Sequence, residues 1–376
     1  MRNETLLLTL NMFSATGGIE KVSRVAGKAL YEMEQEGAIP KLRVFSMYDQ
    51  REQVDTKYFP AKIFDGFGTR KLRFVLRVVQ QGIDSKLVIL SHINLLTAGY
   101  LIKLISPKTR LVLLAHGIEV WSPLPSWKRH MLGKCDKILP VSQFTKERMM
   151  EQYGIDEANF TVLNNCLDPY LAERVQREKD PVLLKRYRIE SNDIVLLTLS
   201  RLSSKERYKG YDNVLYAIKN LKELYPTIKY LVVGKYDAKE KKRLDNIIKI
   251  LQLENNIIFT GFIPDDELAP HYDLADLYIM PSKKEGFGIV FIEAMYYGKP
   301  VIAGNKDGSV DALCNGKLGL LVDPDSKEEI TAAIKKVISN KAAYIPRQQD
   351  VLEKFGYPVY KENMKRIIGE LLVVNG

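Results

Sequence analysis

A chain of 376 residues with 27% charged and 46% hydrophobic residues is long enough for two ordinary domains, and this composition excludes general disorder. Three cysteines (Cys135, Cys166, Cys314) lie far apart without a C-x-x-C pair, which excludes a zinc cluster or disulfide framework and makes a reducing cytoplasm the default. The net charge of +10 is concentrated between Lys62 and Arg148, where 15 Lys/Arg face 5 Asp/Glu; such an excess attracts anionic lipid, nucleic acid or a charged substrate.

In chain order, strand-like runs alternate with helical periods. The first half carries Thr5–Asn11, Leu42–Met47, Leu87–Ser91, Arg110–Ala115 and Lys137–Val141. The second carries Ile194–Ser200, Lys229–Gly234, Asn256–Thr260, Leu277–Met280, Pro300–Ala303 and Leu318–Val322. Alternation of this kind predicts parallel sheets covered on both faces. Two doubly wound α/β sheets follow, joined by the polar segment near Asp168–Asp193. The expected domains are 1–170 and 171–356, with a helix over the tail 357–376. The apolar run Leu6–Leu10 is too short for a signal peptide or a membrane span, and no later segment reaches about 18 uninterrupted apolar residues. A soluble or peripheral protein is expected. Ligands of such sheets bind beyond the carboxyl ends of the strands, so the expected site is a cleft between two facing sheets.

Gly17 and Gly18 follow the first strand and open a helix. They are not a dinucleotide fingerprint, but they permit close backbone approach by a phosphate or sugar. The segment Thr69–Val79, with Arg70, Lys71, Arg73 and Arg77 among Leu72, Phe74 and Leu76, suits a helix lying on an anionic membrane, as does the later group Trp127–His130. An ordinary amphipathic helix with a solvated basic face accounts for it equally. His116 ends a buried strand and precedes Gly117, a placement from which it can donate to a sugar hydroxyl or to developing charge. His92 lacks that glycine and reads as structural. Ser142 reads as a helix cap, and Asp265–Leu268 as a capped helix start rather than a metal site.

Arg201 and Lys209 flank a polar loop ahead of a helix, where two fixed cations suit a diphosphate; Lys205, Glu206 and Arg207 between them read as solvated charges. Gly234 and Phe262 sit in strand-end turns able to recognise a base. No D-x-D stands at a strand end, so no metal is expected. Then comes Pro281–Pro300, PSKKEGFGIVFIEAMYYGKP: a strand, a loop bearing Glu285, Gly286, Phe287 and Gly288, and a helix from Ile289 carrying Glu293. The loop glycines leave amides open to an anion at the helix start.

Glu285 and Glu293 in this setting resemble the E-x7-E motif of the family-four retaining glycosyltransferases, which have the GT-B fold: two doubly wound Rossmann-like domains facing across a cleft. The resemblance spans nearly the whole chain and is strongest from Ser200 to Asp323. It implies a retaining, metal-independent hexosyltransferase that moves a sugar from a UDP- or GDP-sugar to an acceptor hydroxyl. A glycan or lipid-linked acceptor, a role in cell-surface polysaccharide or glycolipid synthesis, no cofactor, and a cytoplasmic place on the inner face of the membrane go with it. By the same resemblance Glu285, His116, Arg201 and Lys209 are catalytic. Gly17, Gly18, Arg201, Lys209, Gly234, Phe262, Glu285, Gly286, Phe287, Gly288, Ile289 and Glu293 bind the donor, Glu293 through its ribose. The family's tail helix crosses back to the first domain.

Two departures stand out. Asn164 and Cys166 replace the Pro and Gly of a family turn, and Asp307-Gly308-Ser309-Val310-Asp311 replaces Gly-Gly, two residues and Glu. Two other readings stay open: a sugar-nucleotide epimerase or phosphorylase on the same architecture, and a non-enzymatic nucleotide or nucleic-acid binder. The basic stretch lacks a recognition helix or RNA-binding signature.

Overall fold

The structure, a computed structural model, describes residues 4–174 and 178–373. Residues 1–3 and 175–177 of the expected domains, and 374–376 of the expected tail helix, lie outside the described residues. The chain divides into two compact units, Met1–Pro169 with Gly356–Gly376, and Tyr170–Phe355.

The first unit is built on strands β1 (Glu4–Thr9), β2 (Lys41–Ser46), β3 (Phe64–Gly66), β4 (Ser85–Leu90), β5 (Arg110–Ala115) and β6 (Lys137–Pro140). Its helices are α1 (Gly18–Gln35), α2 (Lys71–Ile83), α3 (Leu96–Ile105), α4 (Ile118–Trp121), α5 (Ser126–Leu132) and α6 (Gln143–Tyr153). The second unit has strands β7 (Ile194–Leu199), β8 (Ile228–Val233), β9 (Ile257–Gly261), β10 (Leu277–Met280), β11 (Val301–Gly304) and β12 (Leu320–Val322). Around them lie α7 (Pro181–Tyr187), α8 (Tyr211–Leu221), α9 (Ala238–Leu251), α10 (Leu268–Leu274), α11 (Ile289–Tyr296), α12 (Ser309–Ala312), α13 (Lys327–Ser339) and α14 (Gln348–Phe355). The last helix, α15 (Tyr357–Val373), packs on α1 of the first unit, with Lys361 and Lys365 paired to Glu36.

Each sheet has six strands, all parallel, in the orders β3-β2-β1-β4-β5-β6 and β12-β11-β10-β7-β8-β9. Burial on both faces explains the continuous apolar runs. Leu6, Leu7 and Leu8 are all fully buried: Leu7 joins the core under α1 and α15, while Leu6 and Leu8 join the opposite core with Phe74 and Val78. Burial of each such side chain contributes roughly 1.5–3 kcal/mol. The strand order reverses between β1 and β4 in one sheet and between β7 and β10 in the other. In open α/β sheets that reversal opens the crevice in which ligands bind.

Two sequence expectations are corrected. The edge strand β3 was not anticipated, because only Phe64 of its three residues is fully buried, leaving no periodicity to read. Asp265–Glu267 is a 3-10 turn with Pro264 at the cap position and no side-chain cap, so those acids do not cap α10. Ser142 does cap α6, accepting from the Thr145 amide at 3.1 Å.

Candidate active site

In the second unit the two expected motifs follow the two strands at the reversal. Ser200–Gly210 leaves β7, Pro281–Gly288 leaves β10, and the Lys283 amide donates to the Tyr208 carbonyl across them at 2.9 Å. Gly210 makes this approach possible: at φ +80° it lies against Pro281, whose carbonyl oxygen would stand 2.1 Å from any Cβ. Lys209, just before it, therefore meets Glu285, 76 residues on in the chain, with Nζ to Oε2 at 2.5 Å and both side chains largely buried. Burial alone would depress the Lys209 amine, but the Glu285 charge and hydrogen bond hold it above the ordinary lysine range, so it stays cationic at neutral pH. Tyr208 stands in the same field: burial raises its hydroxyl, and the charges of Lys209, Glu206, Glu285 and Arg201 all act on it.

Glu285 is held from behind. Its amide donates to Asp307 Oδ2 at 2.7 Å, its carbonyl accepts from the Gly308 amide at 2.8 Å, and Asp307 Oδ1 accepts from the Ser309 amide at 2.9 Å. The amides of Gly286, Phe287, Gly288 and Ile289, at the start of α11, donate to no protein acceptor among the described residues. A buried cation beside several unengaged amides at a helix start is suited to a diphosphate.

The remaining expected donor residues are placed less uniformly. Arg201 is exposed and pairs with Glu206 at 2.7 Å. Glu206 and Arg207 are not simply solvated, as had been expected: Glu206 anchors Arg201, and Arg207 pairs with the fully buried Glu240 at 3.1 Å. The Phe287 ring is core, packed edge-on against Phe355, so only its backbone reaches the loop surface. The Gly234 amide is used internally, donating to the Gly261 carbonyl at 2.9 Å, and is not available to a base. Phe262 is half exposed, with Lys235 over its ring at 4.7 Å, and offers a stacking surface. Glu293 is fully buried beside Tyr272, whose hydroxyl donates to Oε2 at 3.3 Å and whose ring stacks on Tyr297. It is neither a solvated helix charge nor directed to solvent.

In the first unit, Gly17 and Gly18 are exposed at the start of α1. The loop before them is shaped by Asp49, which sequence reasoning missed. This fully buried carboxylate accepts from the amides of Met12 (2.7 Å), Phe13 (3.2 Å) and Ser14 (2.7 Å) and from the Ser46 hydroxyl (2.6 Å). An acid three residues past β2 has no local motif, so nothing in the sequence marked it. His116 follows β5 and is buried, its Nε2 2.7 Å from the Ser91 carbonyl oxygen, while Nδ1 is buried without a partner among the described residues. A carbonyl only accepts, so Nε2 carries the proton and Nδ1 is an acceptor. That reverses the donor role expected for a neutral His116. His92 caps the turn after β4, its Nδ1 accepting from the Asn94 amide at 3.0 Å.

Two six-stranded parallel sheets of this topology are the fold of the GT-B glycosyltransferases. Anabaena HepE in complex with UDP and glucose superposes with a TM-score of 0.79 at 21% identity, over 98% of this chain and 100% of that one. Sucrose-phosphate synthase from Thermosynechococcus elongatus gives 0.76 at 17%, over 100% of both. Residues 180–356 match the family described as Glycosyl transferases group 1, and residues 40–170 match Glycosyltransferase Family 4; the chain belongs to the family-four glycosyltransferases. It is 30% identical over 243 residues to the GDP-mannose-dependent alpha-(1-6)-phosphatidylinositol monomannoside mannosyltransferase of Mycolicibacterium smegmatis, a match that spans 61% of each chain. It is 27% identical over 216 residues to the mannosylfructose-phosphate synthase of Agrobacterium fabrum, spanning 56% of this chain and 46% of that one.

Proposed function

We propose that this chain is a retaining, metal-independent glycosyltransferase. It moves a hexose from a UDP- or GDP-sugar to a hydroxyl of a glycan or lipid-linked acceptor, in cell-surface polysaccharide or glycolipid synthesis. The observation that carries this reading is the buried Lys209–Glu285 pair beside the unengaged amides of Gly286–Ile289, at the strand reversal of the second unit. The mannosyltransferase relative, whose name states dependence on GDP-mannose and a phosphatidylinositol monomannoside, supports the donor and acceptor classes.

Cleavage of the anomeric bond puts negative charge on the departing diphosphate. Lys209, Arg201 and the loop amides stabilise that charge where it develops. Glu285 binds hydroxyls of the transferred sugar, and Glu293 exchanges its Tyr272 hydroxyl for those of the ribose. Phe262 stacks on the base, and the loop at Gly17 and Gly18 admits the phosphate. His116 Nδ1 accepts a hydrogen bond from a hydroxyl of the sugar. Front-face attack, with the departing phosphate taking the acceptor proton, completes a retaining transfer without a protein nucleophile. Turnover of UDP- and GDP-sugars is measured for Glu285→Ala, Glu293→Ala and Arg201→Ala, with the anomer of the product read by NMR and with EDTA present. Each variant is expected to lose at least about tenfold in kcat/KM. Near-normal rates in all three, an inverted product, or abolition by EDTA refute the reading.

Membrane attachment belongs to the same proposal. No helix among the described residues is long and apolar enough to cross a membrane. On α2 only Phe74, Val78 and Gly82 are buried, while Leu72 and Leu76 are 75% and 64% exposed among Lys71, Arg73 and Arg77. Helix α3 packs against both α2 and α5 and adds exposed Leu104 and Ile105, and α5 adds Trp127. Apolar side chains set among cations suit the surface of an anionic bilayer. Flotation with vesicles containing anionic lipid is expected to carry the protein, and Leu72→Ser with Leu76→Ser to release it. Equal binding to neutral vesicles, or preference for duplex DNA, would count against this surface.

A further inference from the structure

Asp307 stands where the family pattern has glycine, and the chemistry above gives that substitution no part. In the structure its side chain is fully buried between two strand-end loops. Its carboxylate bridges them, Oδ2 accepting from the Glu285 amide at 2.7 Å and Oδ1 from the Ser309 amide at 2.9 Å. The neighbouring Gly308 seals the contact from the other side. Its amide donates to the Glu285 carbonyl at 2.8 Å, and a Cβ there would lie 2.1 Å from the Gly286 carbonyl oxygen. The backbone of Glu285 is thus clamped on both its amide and its carbonyl, while its side chain reaches forward to Lys209. A glycine at position 307 would have nothing to offer the Glu285 amide.

We propose that Asp307 is a positioning residue, a buried carboxylate strut that fixes Glu285 and, through it, Lys209. This rests on the transferase reading for its kinetic consequence but not for its structural one. The strut also titrates. Burial, reinforced by the charge of Glu285 and opposed by the Ser309 and Glu285 amides, pushes the Asp307 carboxyl up to about 7. Glu285 is the charged group that faces it from the β10–α11 loop, and Lys209 is already engaged with Glu285. On its own loop, Lys306 is turned away to Asp323 at 2.6 Å and Asp325 at 3.1 Å. Protonation relieves the cost of burying the charge but turns one acceptor oxygen into a hydroxyl, so the amide facing that oxygen is held less firmly in direction. Transfer is therefore expected to fall on the acid side of neutrality with an apparent pKa set by this group.

The test compares the full chain with Asp307→Gly and the isosteric Asp307→Asn, whose amide NH2 turns a donor toward one of the two backbone amides. Folding is checked by circular dichroism. The first readout needs no donor: at one fixed pH, hydrogen exchange in the peptide 282–290 is expected to be faster in both variants than in the wild type. The second is the pH profile of kcat/KM, with a loss of about 10- to 100-fold in Asp307→Gly and a flattened acid limb in Asp307→Asn. Unchanged exchange in that peptide overturns the strut. So does a wild-type pH profile retained in both variants. If the wild type turns over no sugar nucleotide, the transferase reading falls instead, and exchange alone decides for or against Asp307.

Discussion

Replacing Lys209 with alanine is expected to lower kcat/KM for sugar transfer by about 10²–10³-fold, the range found when one preorganised donor to a developing oxyanion is removed. The size follows from placement. The side chain is 15% exposed, it remains cationic because Glu285 faces it, and it stands beside the open amides of Gly286–Ile289. A cation held where little water reaches interacts far more strongly with a diphosphate than an exposed one such as Arg201. The same substitution strands the Glu285 carboxylate, which is 16% exposed, so stability is expected to fall as well, by about 3 kcal/mol. A Glu285→Gln change in the Lys209→Ala background separates the two effects. It removes the stranded charge and restores much of the stability, while transfer stays low. Turnover near the wild-type rate in Lys209→Ala would show that the phosphate is gripped elsewhere.

Acidification is expected to destabilise the first unit through His92. Burial first, then the neighbouring His116 ring and the Lys128 charge, hold its imidazole near 4 rather than 6.5. The folded pKa is the lower one. The contribution of His92 is therefore present in full above pH 6.5 and is lost as the pH falls towards 4, because the unfolded chain takes up a proton that the native chain refuses. The interval corresponds to about 3 kcal/mol. In His92→Gln that loss disappears, although the cap on the Asn94 amide is weakened at every pH. Urea unfolding of both proteins at about pH 7 and about pH 4.5 should show the wild-type advantage shrinking by roughly 2–3 kcal/mol on the acid side. A constant difference at the two pH values would remove His92 from the account.

How much of this was legible in the sequence depends on range. Eleven of the strands could be read from their apolar runs, most plainly where burial on both faces leaves Leu6-Leu7-Leu8 with no polar interruption, whereas β3 offers only Phe64. Glu285 and Lys209 could each be found at a strand end. Their mutual ion pair could not, because β10 lies beside β7 only through the strand order, which no local pattern encodes. Glu293 carried a signal that was outweighed. The helix around it, Ile-Val-Phe-Ile-Glu-Ala-Met, is apolar on every side, and such helices are buried. Asp307 was visible as a departure from a glycine, but its partner amide, on a loop 22 residues earlier, was not. Asp49 is the least legible: one acid in a loop, serving amides 35 to 37 residues away.

The crossings of backbone on backbone at Gly210 and Gly308 bear on how a ligand would be received. Loops already fastened to one another, by Lys283 to Tyr208 and by Gly308 to Glu285, have little freedom left to surrender on binding. Affinity for a pyrophosphate should then carry only a small entropic penalty from loop freezing, and calorimetry should find the heat-capacity change small, since hardly any apolar surface is newly covered.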